Sequence, residues 1–388
     1  MSLRFLTAGE SHGKGCLAFV EGLPKGLTIE KDWIDRQLRR RQSGYGRSGR
    51  QNIEQDQVEV LSGVRGGRTI EAPLCLWVGN RDDSIERMPE LTRPRPGHAD
   101  FSGCLRHGDH DVRANLERAS ARETASRVAA GAVCQLLLRA LGCEVLGHVV
   151  RIGDVASGLA AGAALHRVDL AVVRDHVEAS EVGVLDAALV APMKAAIDQA
   201  KADRDTLGGV VEVVSTGVPP GLGTFAQWDR RLDGRLAQAL MSIQAFKAVE
   251  IGAGVAVGRL RGSQVHDAIL PDGAAGVQRP TNRAGGLEGG VSNGEPLVLR
   301  ATKKPIATLR RPLDSVDLAS GEAAAAAFER SDVCAVPAAS VIAEAMVAIV
   351  LAEASLDLFG GASLDDFVAR GQAHAARAAA IRGGSESP

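Results

Sequence analysis

Residues 337–356 read PAASVIAEAMVAIVLAEASL and set apolar side chains on nearly every face of a helix, with a proline near its first turn. A helix with so little polar face belongs in a core. Working upstream, Ser120-Ala121-Arg122-Glu123 has the spacing of a capping box and predicts a second helix that runs through Val128, Val133, Leu136 and Leu137 and stops near Gly142. A third begins near Lys31. Short alternating or β-rich runs at 17–21, 58–61, 74–78, 210–214 and 296–301 read as strands interspersed with these helices, which gives an α+β or α/β protein. Downstream of Gly360 the chain turns Ala- and Gly-rich and ends GGSESP, predicting a helix and a frayed tail. Nothing marks a boundary before that point. The expectation is therefore one domain over residues 1–360, followed by a C-terminal helix and flexible tail over 361–388.

The composition narrows the function. Of 388 residues, 45% are apolar and only 3% aromatic, with 45 glycines, so the core is built from Ala, Val, Leu and Ile with much tight turning. A formal net charge of −2 disfavours a protein that coats polyanions through overall charge, and any basic site must be local. Cys16, Cys75, Cys104, Cys134, Cys143 and Cys334 form no CxxC pair, and several lie in apolar runs; buried, reduced thiols are expected, with no metal site. The first dozen residues lack the apolar region of a signal peptide, and no uninterrupted apolar run reaches the ~18 residues of a membrane span. Together these features predict a cytoplasmic protein without a membrane partner.

Four polar stretches are not explained by a core. Thr7-Ala8-Gly9-Glu10-Ser11-His12-Gly13 puts an imidazole on a tight turn, where a ligand can approach the backbone. From 36 to 50 there are six arginines (Arg36, Arg39, Arg40, Arg41, Arg47, Arg50) and no acid. Arg39, Arg40 and Arg41 suit the last turn of a helix, but Arg47 and Arg50 sit in a Gly-rich loop that suits phosphate and carboxylate oxygens. Arg93-Pro94-Arg95-Pro96-Gly97-His98-Ala99-Asp100 again joins arginine and histidine in a rigid turn, and Arg113, Arg118, Ser120 and Arg122 follow it toward the capped helix. The fourth is dispersed over Gly285 to Ser292, Lys304 to Thr308 and Arg330-Ser331-Asp332. None is a Walker loop or a strand-linked GxGxxG, so a nucleotide-binding Rossmann fold is not expected.

Taken together and in order, these stretches resemble the chorismate synthase family over nearly the whole chain, from Gly9-Glu10-Ser11-His12-Gly13 to Ala335-Val336-Pro337-Ala338-Ala339. The resemblance implies an α+β fold in which a helical layer is sandwiched between antiparallel β-sheets, a homotetramer, and one FMN per subunit. It matches His12 and His98 to the catalytic histidines, and Ser11 and Asp332 to a serine and aspartate of a proton relay. Arg41, Arg47, Arg95, Arg122 and Arg330 match arginines of the substrate and flavin pocket. Arg118, Ala119, Ser120, Gln244, Ala245, Gly289, Lys304, Pro305, Ile306, Ala307, Thr308 and again Arg330 match FMN contacts. Ala119 and Ala307 depart from the hydroxyl residues that many relatives carry there.

The implied reaction, in the shikimate pathway of aromatic amino acid biosynthesis, is a 1,4-elimination of phosphate from 5-enolpyruvylshikimate-3-phosphate without net redox change. Its substrate carries a phosphate and two carboxylates and FMN adds a further phosphate, so fixed cations are required. The departing hydrogen is not next to a carbonyl, which explains a reduced flavin where a base alone would fail. His12 is then expected to protonate the leaving phosphate and His98 the reduced flavin. NADPH is a candidate reductant, as is an external flavin reductase. Two rivals remain: a flavin reductase or other net-redox flavoenzyme, and a polyanion-binding protein using 36–50. The low aromatic content and near-neutral charge weigh against nucleic acid as a partner.

Overall fold

The computed structural model describes residues 3–47, 55–158, 162, 165, 168–272, 276–329 and 331–383. Strands β1 (Arg4–Gly9) and β2 (Gly15–Glu21) form an antiparallel hairpin, followed by helix α1 (Lys31–Gln42) and strands β3 (Val58–Ser62) and β4 (Leu74–Gly79). These four strands make one antiparallel sheet in the order β1-β2-β4-β3. A helical hairpin of α2 (Asp100–His107) and α3 (Val112–Ala119) leads into the buried helix α4 (Thr124–Arg139). Strand β5 (Glu144–Ile152), helices α5 (Leu170–Ala179) and α6 (Val190–Ala202), strand β6 (Gly209–Thr216), helix α7 (Leu232–Met241) and strands β7 (Phe246–Ile251) and β8 (Leu297–Lys303) follow. Their sheet is also antiparallel, ordered β7-β8-β6-β5 with Val155–Ala156 at the far edge. The chain finishes with α8 (Val336–Phe359) and α9 (Leu364–Ile381).

Helix α4 packs on β2 and β4 of the first sheet, α8 packs on β5 and β6 of the second, and the two helices pack on each other. The arrangement is the expected helical layer between antiparallel sheets. It explains the missing polar face of residues 337–356: in α8, 94% of the most apolar window is buried, so its length and hydropathy mark a core helix. Close approach within the layer needs small residues. A Cβ added at Gly131 of α4 would lie 2.4 Å from the Ala345 Cβ, so the helix backbones meet there. Phe367 of α9 is fully buried in the same core, which docks the C-terminal helix on the body. All six cysteines are buried and free, and burial pushes the Cys134 and Cys143 thiols up to about 12, away from reactivity at neutral pH.

Two expectations need correction. Ser120 does cap a short 3₁₀ turn, Ala121–Glu123, by accepting from the Arg122 N–H, but Glu123 does not close a capping box. Its carboxylate turns instead to Thr7, Arg127 and Gln244. The arginines at 39–41 are also not simply dipole partners at a helix end. Arg40 points into the core and forms paired hydrogen bonds at 2.9 and 3.0 Å with Glu344, which sits fully buried in the middle of α8. Arg174 and Gln135 donate to the same carboxylate at 2.8 and 2.7 Å, and the Gly147 N–H at 2.9 Å. Burial alone would raise the Glu344 carboxyl, but Arg40 and Arg174 outweigh it and hold it at about 2.

Candidate active site

The sheet geometry places His12 in the turn between β1 and β2. Gly9 opens that turn at φ +103°, and a Cβ there would meet the Gly15 carbonyl oxygen at 2.1 Å. Asn80, just after β4, ties the turn down by donating to the carbonyls of Glu10, Ser11 and Gly13 at 3.2, 3.3 and 2.7 Å. From the other side comes Glu117 of α3. Its carboxylate accepts from the His12 backbone N–H at 2.7 Å and lies 2.9 Å from His12 Nδ1, while its carbonyl accepts from the Ser11 N–H at 3.1 Å. Glu117 is itself almost fully buried. Burial pushes its carboxyl up, and the two His12 hydrogen bonds with the Arg113 charge outweigh that and hold it below the usual range.

His98 is held in a parallel way. It precedes α2, and its Nδ1 is bonded to the buried Asp100 carboxylate. Arg95 grips the same carboxylate through Nε at 2.8 Å and Nη2 at 3.0 Å, and its Nη1 donates to Thr308 at 2.9 Å. Against burial, the hydrogen bonds from His98 and Arg95 hold the Asp100 carboxyl far below the ordinary range. The Arg95 guanidinium is thus engaged with protein groups.

Two further arginines flank one buried carboxylate. Arg122 donates from Nη1 to both oxygens of Asp56 at 2.7 and 2.9 Å, and Arg41 donates from Nη2 to Oδ2 at 2.7 Å. Burial would raise Asp56, but the two guanidiniums lower it; burial in turn lowers Arg41. Arg122 also donates to Asn80 Oδ1 at 2.7 Å, so the clamp is continuous with the His12 turn. Arg47 lies 2.8 Å from Asp332. Near this pair, burial brings the Lys303 ammonium down to about 8, with the Arg47 charge acting in the same direction. A cavity of about 1600 Å³ is lined by Arg39, Arg47, Asp56, Lys201, Arg204 and Arg310, among others. Cations outnumber acids on its wall, which suits an anionic ligand. Neither histidine lines it; Arg47 and Asp56 connect it to the arginine cluster. Of the remaining arginines of the 36–50 stretch, Arg36 pairs with Asp175 and Glu178 away from this cavity, and Arg50 lies outside the described residues, as does Arg330.

The residues matched to FMN contacts form a chain between the two histidine turns. Arg118 donates to the Gly9 carbonyl and to Thr7, each at 2.9 Å, and the hydroxyls of Ser120 and Ser11 are 3.1 Å apart. Thr7 donates to Glu123 at 2.7 Å, and Gln244 Nε2 donates to the same carboxylate at 3.1 Å. The Ala245 carbonyl accepts from the Lys304 N–H at 2.9 Å, and the Lys304 ammonium reaches the Gly97 carbonyl beside His98. Thr308 closes the chain on Arg95, and the Ile306 carbonyl is fixed by Thr206 at 2.8 Å. Ala119 ends α3, and Ala307 and Pro305 belong to the Lys304 loop. Gly289 stands apart in the turn of a short hairpin, with open space where a Cβ would be.

These residues fit a flavin phosphate cofactor. Gln244 Oε1 and Arg47 Nε are buried with no hydrogen-bond partner among the described residues, one an acceptor and one a cationic donor. A ring N–H would supply what Gln244 Oε1 lacks, and an anionic oxygen what Arg47 Nε lacks.

The pairing of each imidazole with its carboxylate is set by the fold. Asp100 stands two residues after His98, a short-range hint, whereas Glu117 is 105 residues from His12 and carries no local signal of that pairing. Asp56, between Arg41 and Arg122, was equally hidden.

Among known proteins, residues 3–356 match the family model described as chorismate synthase. The chain is 53% identical over 396 residues to a chorismate synthase of Desulforudis audaxviator, covering 98% of this chain and 100% of that protein. It is 55% identical over 370 residues to one from Moorella thermoacetica, covering 92% and 94%. A solved structure described as a crystal structure of chorismate synthase superposes with a TM-score of 0.82 at 41% identity, covering 98% of this chain and 99% of that one.

Proposed function

The chain belongs to the chorismate synthase family and has chorismate synthase activity, a lyase reaction that uses reduced FMN, and from this premise we propose how its own side chains carry that reaction. The observation that carries the reading is the hydrogen-bonded chain from the His12 turn through Thr7, Glu123, Gln244 and Lys304 to the His98 turn. In this reading the two imidazoles stand at the ends of one row that includes Gln244 and Lys304 as cofactor contacts.

Arg118, Ala119, Ser120, Gln244, Ala245, Gly289, Lys304, Pro305, Ile306, Ala307, Thr308 and Arg330 would hold FMN. The chemistry that bound reduced FMN would supply there is an electron-rich ring able to lend and take back electron density in a redox-neutral elimination. Arg41, Arg47, Arg122 and Arg330 gather the phosphate and carboxylates of 5-enolpyruvylshikimate-3-phosphate, with Asp56 fixing two of the guanidiniums in advance. Arg95, already bound to Asp100, contributes buried positive charge at His98. His12 gives its proton to the leaving phosphate, and His98 carries the proton taken up by the reduced ring. Ser11, 3.1 Å from Ser120, and Asp332, beside Arg47, relay a proton.

A homotetramer and NADPH as reductant belong to the same reading. Phe225, Trp228 and Val255 are 82, 79 and 80% exposed and supply apolar area for contact between copies. The test is an anaerobic assay with substrate and dithionite-reduced FMN, following phosphate and reductant together. Phosphate release over many turnovers with no matching loss of reductant is expected. Oxidation of one reductant per phosphate would instead mark a net-redox flavoenzyme.

A further inference from the structure

We propose that Glu117 is a positioning residue for the reaction, fixing which nitrogen of His12 exchanges the working proton; this rests on the reading of His12 given above. A carboxylate only accepts, and Glu117 Oε1 lies 2.9 Å from His12 Nδ1. Nδ1 therefore carries a hydrogen in both charge states, and Nε2, on the side of the ring away from Glu117, gives up the proton. The second oxygen of Glu117 is committed to the His12 backbone N–H at 2.7 Å, so one side chain sets both the loop and the ring. Glu117 cannot easily turn away. Its side chain is 1% exposed, its own backbone carbonyl holds the Ser11 N–H, and Arg113 stands 3.9 Å from Oε1 while bonding Glu329 at 3.2 Å.

Glu117→Gln turns this geometry into a test. The backbone N–H of His12 cannot change its role as a donor, so the glutamine oxygen must stay on it. The amide NH₂ then faces Nδ1, which becomes an acceptor, and the neutral ring must move its hydrogen to Nε2. Proton donation from Nε2 would leave two donors facing each other at Nδ1. A side chain that merely supported the fold would not move the tautomer.

The experiment records ¹⁵N NMR spectra of His12 in the holoenzyme at a pH where imidazole is neutral, with steady-state kinetics of E117Q, H12A and the double variant. The expected wild-type ring carries hydrogen on Nδ1, and the E117Q ring carries it on Nε2. E117Q is expected to lower kcat about 10²-fold with KM changed less than about threefold, and the double variant to be no slower than H12A alone. A wild-type neutral ring with its hydrogen on Nε2 would overturn the proposal, and this needs no variant to fold. So would losses from E117Q and H12A that multiply. An H12A enzyme with native kcat would instead remove the reading of His12 itself.

Discussion

Replacing His12 or His98 with alanine lowers kcat by about 10²-fold or more and changes substrate affinity far less. The structure says why these variants remain folded enough to measure. Without the His98 ring, Asp100 keeps its two-point ion pair with Arg95 and the Arg95 backbone N–H at 3.0 Å. Without the His12 ring, Glu117 keeps the backbone N–H of residue 12 and the Arg113 charge. Neither deletion strands a buried carboxylate, so a fall in kcat reports chemistry. Steady-state kinetics with reduced FMN, alongside a thermal melt, makes the check. A variant with native kcat loses its assigned role.

The second large effect concerns stability, far from the reacting groups. Glu344→Ala removes the carboxylate that Arg40, Arg174, Gln135 and the Gly147 N–H all address from within the core. Deleting one partner of a buried ion pair costs ~3–5 kcal/mol because the remaining charge is left in low dielectric. Here Arg40 retains Glu178 and Arg174 retains Glu144, each at 3.2 Å, which favours the lower end of that range. Denaturant titration should show a lower midpoint with an unchanged slope. An unaltered midpoint would show that the cluster adds nothing net. The same group predicts a pH dependence. Its folded value of about 2 lies below the ordinary 4.5, so its contribution is fully present above about 4.5 and is lost as pH falls through 2. Between those limits the native protein loses this stability on acidification, while the alanine variant lacks that component. The two stability curves therefore converge at the acid end.

How much of this was legible in the chain depends on range. The buried character of α8, the first turns of α1 and the strands near 17–21, 58–61, 74–78, 210–214 and 296–301 follow from local periodicity, and the structure extends them by only a few residues. Strand β5 was missed, though it lies inside the second sheet, between β6 and Val155–Ala156. Its sequence EVLGHVVRI interrupts the apolar run with Gly147 and His148, and the packing of α8 on the strand explains the first while a cross-strand partner explains the second. A Cβ at Gly147 would meet the Ser340 carbonyl oxygen at 2.2 Å, and His148 pairs across the sheet with Glu212 at 3.1 Å. The stretches that hold the candidate site residues were legible as motifs. Their counter-charges were not, because pairing depends on tertiary placement: Arg40 and Arg41 are neighbours in sequence, yet one enters the core toward Glu344 and the other the site toward Asp56.

The position of the departing phosphate decides whether His12 can act on it. A crystal structure of the complex with oxidised FMN and 5-enolpyruvylshikimate-3-phosphate would measure it directly. The expected result has the 3-phosphate within hydrogen-bond distance of His12, the flavin against the row from Arg118 to Thr308, and His98 at the flavin ring. A phosphate bound only by Arg39, Lys201, Arg204 and Arg310 in the large cavity, with both imidazoles remote from ligand, would contradict it.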